Sequence, residues 1–300
     1  MTTETTSPLV VPAPVDADLA VRVRGLRRHY GETKAVDGVD LDIVRGEVLA
    51  LLGPNGAGKT TTTEILEGYR KRDAGDVDVL GVDPAHGDGR WRSRLGIVLQ
   101  SASDLGDLTV EESVAHFAGY FPSPRDVGEV IESVGLAEKR STRGFDLSGG
   151  QRRRLDVALG IIGGPELLFL DEPTTGFDPE ARREFWELIR GLRGTGTTIL
   201  LTTHYLDEAE VLADRVGVIS RGRLIACDVP SRLGGRDESL ATVTWREADE
   251  QRTQVTHEPT RFVQELAGRF DGEVPALAVH RPSLEDVYLS LIGDDEEPTS

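Results

Sequence analysis

Five consecutive apolar residues, Val48 to Leu52, run without a break into the octapeptide GPNGAGKT at residues 53–60. A strand with no polar alternation is covered on both faces, which implies helices packed on either side of a mainly parallel sheet. A glycine-rich turn that follows such a strand and opens a helix sets backbone N–H groups at the helix's positive end. Few folds can hold that arrangement, and its chemistry suits a phosphate. The reach of Lys59 fits β- and γ-phosphates, and the Thr60 hydroxyl fits a Mg²⁺ ion.

The rest of the chain repeats the theme. Alternation at Val21 and Val23, then at Val39, Leu41 and Ile43, predicts antiparallel strands with one buried face. Further strands are expected at Leu95 to Leu99, Leu167 to Leu170, Thr197 to Thr202 and Val216 to Ser220. Helices are expected from Thr60 to Gly68 and near 110–120, 125–135, 151–162, 179–193 and 205–213. Residues 101–162 carry helical pattern alone and predict an inserted helical lobe. A composition shift at Gly234 to Glu238 marks a linker from a main domain at 19–235 to an α+β appendage at 236–293. In the appendage, strands are expected at Leu240 to Trp245, Gln254 to His257 and Ala276 to Val279. A helix is expected around 260–270, and a capped one from Ser283. Residues 1–18 and 294–300 read as a disordered arm and an acidic tail.

A formal charge of −18 on 300 residues argues against nucleic acid and against an anionic membrane surface. One cysteine, Cys227, excludes an internal disulfide and reads as a small, partly buried strand residue. The N-terminus lacks the basic and apolar regions of a secretory signal, and no run approaches the length of a membrane span. The expectation is a soluble chain that another polypeptide holds at any membrane it serves.

Other segments carry candidate chemistry. Leu147 to Gln151 (LSGGQ) leads into a helix and offers a second phosphate grip. Two grips mean either two nucleotides or one nucleotide shared between two copies. The apolar run Leu167 to Leu170 ends in Asp171, suited to Mg²⁺, and Glu172, suited to a general base. A parallel strand delivers its C-terminal end to the ligand crevice, so His204 is placed to meet a γ-phosphate. Gln100, also after a strand, is placed to ligate Mg²⁺ and orient water. Tyr30 offers a face on which adenine could stack. Arg152, Arg153 and Arg154 occupy a first helical turn, where cations oppose the macrodipole; Arg153 and Arg154 read as a solvated basic patch.

In order along the chain, Tyr30, Gly53–Thr60, Gln100, Leu147–Gln151, Leu167–Glu172, Thr175–Asp178 and His204 resemble the A-loop, Walker A, Q-loop, signature, Walker B, D-loop and H-loop of ABC-type ATPases. The resemblance spans roughly residues 19–235. It implies the P-loop NTPase fold of ABC type: a mainly parallel sheet, an antiparallel β subdomain and a helical lobe. It also implies hydrolysis of Mg-ATP by a head-to-tail homodimer. Gly53, Pro54, Asn55, Gly56, Ala57, Gly58, Lys59, Thr60 and Thr61 would hold the nucleotide. Thr60, Gln100 and Asp171 would hold Mg²⁺. Ser148, Gly149, Gly150 and Gln151 would grip the γ-phosphate on the other copy, with Asp178 acting across the interface.

Residues 202–210 (TTHYLDEAE) and 282–289 (PSLEDVYL) resemble the ATPases of daunorubicin-resistance-type and related drug exporters. That implies a separate multi-span permease and a place on the cytoplasmic face of the cell membrane. Phe177 stands where Leu is usual, and Val98 and Leu99 replace an aromatic–Pro pair. A translation factor would carry two nucleotide domains in one chain, and a DNA-repair ATPase a long heptad insertion and basic surfaces. A module without hydrolysis would lack Glu172 or His204. Import stays open beside export.

Overall fold

The computed structural model describes residues 9–10, 18–99, 106–270 and 272–296. The chain divides into two compact units, Met1–Cys227 and Asp228–Ser300.

The first unit opens with β1 (Leu9–Val10), β2 (Leu19–Tyr30), β3 (Thr33–Val44) and β4 (Val48–Leu52), and α1 (Lys59–Leu66) follows the glycine loop. Next come β5 (Ala74–Val79), the short α2 (Gly89–Arg92) and β6 (Leu95–Val98). The helical segment holds α3 (Val110–Ala118), α4 (Val127–Ser133) and α5 (Gly149–Ile161). Then follow β7 (Leu167–Asp171), α6 (Pro179–Gly194), β8 (Thr198–Thr202), α7 (Leu206–Leu212), β9 (Arg215–Ser220) and β10 (Arg223–Asp228).

Seven strands form one sheet in the order β1-β10-β9-β4-β8-β7-β6. The pairs β4–β8, β4–β9, β7–β8 and β6–β7 are all parallel. β4, β7 and β8 form its centre, and every apolar residue in them is buried, as unbroken apolar runs require. A second sheet, β3-β2-β5, is antiparallel. Its inward residues Val21, Val23, Val39 and Ile43 share one core cluster with Leu49, Leu51, Phe169 and Leu200 of the first sheet. Each such side chain contributes about 1.5–3 kcal/mol of burial. Truncating the fully buried Phe169 to Ala would cost about 3–5 kcal/mol.

In the helical segment the elements start on side-chain caps. Thr109 and Glu112 form a capping box on α3, and Asp126 caps α4. α3, α4 and α5 pack on one another, burying Val110, Val114, Val130, Ile131 and Leu155, and α5 also lies on β6. There the backbones approach so closely that a Cβ on Gly96 would stand 2.4 Å from the Gly160 carbonyl oxygen.

The second unit is a small antiparallel sheet with two helices. β11 (Ala241–Glu247) pairs with β12 (Glu250–Thr256) through a tight turn at Ala248 and Asp249, both at positive φ. β13 (Ala278–His280) pairs with the other edge of β11. α8 (Pro259–Ala267) covers the sheet by packing Leu266 and Phe262 on Val243 and Trp245. α9 (Leu284–Glu296) begins on a reciprocal cap, Ser283 N to Asp286 Oδ2 at 2.8 Å and Asp286 N to Ser283 Oγ at 3.1 Å.

Several sequence expectations change. Leu9 and Val10, inside the stretch read as a disordered arm, pair with Ala226 and Cys227 of β10. Cys227 is fully buried rather than partly so. β5 had no counterpart in the sequence reading, and β10 only the reading of Cys227 as a strand residue: β5 alternates Val with Asp, and β10 folds back from β9 across Arg221 and Gly222, both at positive φ. α9 runs on to Glu296, past the start of the segment read as an acidic tail.

Candidate functional site

Sheet order decides which loops meet. β8 lies between β4 and β7, with Leu51 and Asp171 both in register with Thr202. The strand ends therefore stop level, and the Gly53–Thr60 loop, Glu172 and His204 leave the sheet side by side. The Thr202 hydroxyl donates to Asp171 Oδ1, and Glu172 N donates to the Thr202 carbonyl at 3.0 Å.

The glycine loop wraps the start of α1. A Cβ on Gly58, at φ 110°, would stand 2.3 Å from the Ala35 carbonyl oxygen, so only glycine fits there. As the N-cap of α1, Gly58 has no side chain to offer the helix, and the first intrahelical bond is Thr62 N to Gly58 O. The N–H groups of Lys59, Thr60 and Thr61 thus have no carbonyl behind them in the helix. They border a cavity of about 520 Å³ lined by Asn55, Gly56, Gly58 and Lys59–Thr61 on one side and Asp171 and Glu172 on another. Lys59 is 7% exposed, and its ammonium donates to the carbonyls of Gly53 (2.7 Å) and Pro54 (3.2 Å). Burial lowers its pKa, with Glu172 and Asp171 pulling the other way. A buried cation, open N–H groups and two acids form a site for a phosphate chain with a hard cation.

Glu172 sits at φ 43°, in the left-handed region. A residue with a Cβ held there costs about 1–3 kcal/mol, and such strain gathers at functional sites. Its Oε2 lies 3.4 Å from His204 Nδ1 and accepts from the Thr175 hydroxyl at 3.3 Å. The His204 ring stacks on Tyr205 with centroids 4.1 Å apart, and the Arg182 guanidinium covers Tyr205 at 4.4 Å.

Glu67, absent from the sequence reading, closes α1 as its C-cap, 9% exposed. Burial, then Asp171, then Glu64 push its carboxyl up to about 7. Its apolar neighbours Ile65 and Leu66, both buried, were the available sign that this turn faces inward.

Other candidates stand apart from this cavity. Ser148 Oγ accepts from Gln151 N, and Gln151 Oε1 accepts from Ser148 N, so LSGGQ forms a capping box on α5. Ser148 and Gly149 are exposed, and a Cβ on Gly149 would meet open space. None of Ser148 to Gln151 lines the cavity that Lys59 borders. Asp178 caps α6, its Oδ1 accepting from Glu180 N and Ala181 N, and Phe177 packs edge-on against Phe185 at 5.8 Å. Tyr30, 39% exposed, lies under the guanidinium groups of Arg28 (4.8 Å) and Arg70 (5.5 Å). Gln100 lies outside the described residues.

The solvated basic patch is corrected. Arg153 is 7% exposed and donates to three backbone carbonyls, and Arg154 pairs with Glu184 of α6. Dipole and solvation arguments applied to one turn could not see the carbonyls that other segments bring to Arg153.

Residues 36–175 match the family model described as ABC transporter. Daunorubicin resistance ATP-binding protein DrrA3 of Streptomyces coeruleorubidus is 38% identical over 308 residues, covering 93% of this chain and 98% of that protein. Nod factor export ATP-binding protein I of Ralstonia nicotianae is 39% identical over 299 residues, covering 90% and 93%. Among solved structures, cbiO1 from Clostridium perfringens, part of the ABC transporter complex cbiONQ, superposes with a TM-score of 0.67 at 29% identity. That match covers 72% of this chain and 90% of that one. Likeness of this extent, on a chain whose strand ends converge on the cavity bordered by Lys59, Asp171 and Glu172, makes the protein a member of the ABC transporter ATP-binding family, the ATPases that power transport.

Proposed function

We propose that the chain hydrolyses Mg-ATP as one of two identical copies arranged head to tail, and that the pair drives an exporter whose membrane path lies on a separate permease. One observation carries the shared-site reading. Lys59, Asp171 and Glu172 line one cavity, while Ser148 to Gln151 cap an exposed helix start away from it. A helix start that faces solvent has the N–H groups for a second copy's γ-phosphate.

In this reading the phosphates take the open N–H groups of α1, and Lys59 turns from Gly53 and Pro54 toward them. Thr60 and Asp171 would hold Mg²⁺ together with Gln100, the ion supplying positive charge against the phosphate oxygens. Among the described residues no group of three or more His, Cys, Asp or Glu side chains is placed to hold a metal, and phosphate oxygens and water would supply the remaining ligands of such an ion. Glu172 Oε2 takes a proton from the attacking water, and His204 Nδ1, 3.4 Å away, holds that oxygen in place. Tyr30 stacks on the adenine. Asp178 keeps Oδ1 for its helix cap and offers Oδ2 to the other copy.

Export is supported by relatives named for drug resistance and Nod factor export. Among the described residues no helix is long and apolar enough to cross a membrane, which fits a pathway on another chain and a place on the cytoplasmic face. The net charge of −18 argues against nucleic acid. The test is gel filtration of Glu172→Gln with saturating Mg-ATP. A stable dimer supports the shared site, and a persistent monomer contradicts it.

A further inference from the structure

Glu172 needs something to hold its left-handed backbone, because nothing in its own residue type favours φ 43°. The residues on either side of it are Asp171 and Pro173, and one side chain binds the carbonyls of both. Arg153 donates through Nη2 to the Asp171 carbonyl at 2.7 Å and through Nε to the Pro173 carbonyl at 3.1 Å. Its Nη1 binds the carbonyl of Leu99, the residue before Gln100. The guanidinium is buried, with Asp156 at 3.8 Å as its counter-charge. A planar fork with five N–H donors can bridge carbonyls from separate segments, which a lysine cannot.

We infer that Arg153 is a positioning residue for hydrolysis: it clamps the carbonyls of the two residues that flank Glu172, fixing the carboxylate's direction, and ties the same clamp to Leu99 at the end of the β6 segment. The inference rests on Glu172 being the general base. Its source is notable, because Arg153 stands on α5, the helix that Ser148 caps. The turn offered to a second copy and the clamp on the chain's own base belong to one helix. A shift of that helix on engaging a partner's phosphate would reach Glu172 through two hydrogen bonds.

The test is a double-mutant cycle on the full chain, with turnover followed by release of radiolabelled phosphate. Arg153→Lys keeps a cation in the buried place but loses the fork. Arg153→Gln, a neutral partial donor, runs beside it in case the lysine variant does not fold. Either change is expected to lower kcat about tenfold with KM within about threefold, as for a group that acts on the base rather than on ATP binding. In a Glu172→Gln background the same change should lower the residual rate by less than about twofold, since there is no base left to orient. An equal tenfold loss in both backgrounds, or a KM that rises in step with the loss, overturns the clamp and leaves Arg153 a structural residue. If Glu172→Gln alone keeps full kcat, the general-base reading itself falls and takes the clamp with it.

Discussion

Two helices in this chain begin on glycine-rich turns, and they begin in opposite ways. α1 starts at Gly58 with no side-chain cap and ends on the buried acid Glu67, whose charge opposes the helix dipole. α5 starts on the reciprocal Ser148–Gln151 box. One turn is left open and the other closes on itself. The open turn faces a cavity in its own chain, and the closed one faces solvent. An anion completes α1 outright, whereas at α5 it meets a helix already stable without it. In the proposed reading the lone chain receives a phosphate at the open turn and lends the closed one.

Breaking the open turn should have the largest effect. Lys59→Ala removes the buried cation, and ATP affinity should fall about a hundredfold or more, read by calorimetric titration. Ser148→Arg should leave ATP affinity within about threefold while hydrolysis falls about a hundredfold, the scale of losing a transition-state donor. Loss of binding instead would put Ser148 in its own chain's site and end the contrast between the turns.

Glu67→Gln should stabilise the α1 side, and the sign follows from its pKa. The folded value of about 7 lies above the ordinary 4.5, so folding takes up a proton between those values. The penalty is absent below about pH 4.5 and complete above about pH 7. The gain should then be at most about 3.5 kcal/mol at pH 8, at roughly 1.4 kcal/mol per pH unit, and near zero at pH 4.5. Thermal melts at the two pH values check it. The smallest change is at the closed turn: Gln151→Ala should cost about 1 kcal/mol in a denaturant titration with ATP affinity unchanged.

What could be read in the sequence was whatever is local and repeated. The apolar runs of β4 and β7, the glycine loop and the acids at 171 and 172 all declare themselves within a dozen residues. The pairing of Leu9 and Val10 with β10 depends on an edge more than two hundred residues away, so composition alone reads that stretch as an arm. Arg153 shows the same gap more sharply. Its first-turn position argued for solvent, yet its partners are Leu99, Asp171 and Pro173, brought to it only by packing. The box at Ser148 and Gln151 is visible in the spacing S-x-x-Q, and the same residues carry the phosphate reading of LSGGQ.

The central claim is that each catalytic site takes its glycine loop from one copy and its LSGGQ turn from the other. Lys59→Ala and Ser148→Arg proteins, each inactive alone, should therefore complement when mixed and allowed to exchange. A mixed dimer joins the intact loop of one copy to the intact turn of the other, giving one working site in two. With random exchange, ATPase activity should return to about a quarter of the unmodified protein's, as two-fold symmetric pairing requires. A mixture as inactive as its parts, with exchange shown to occur, would contradict the account.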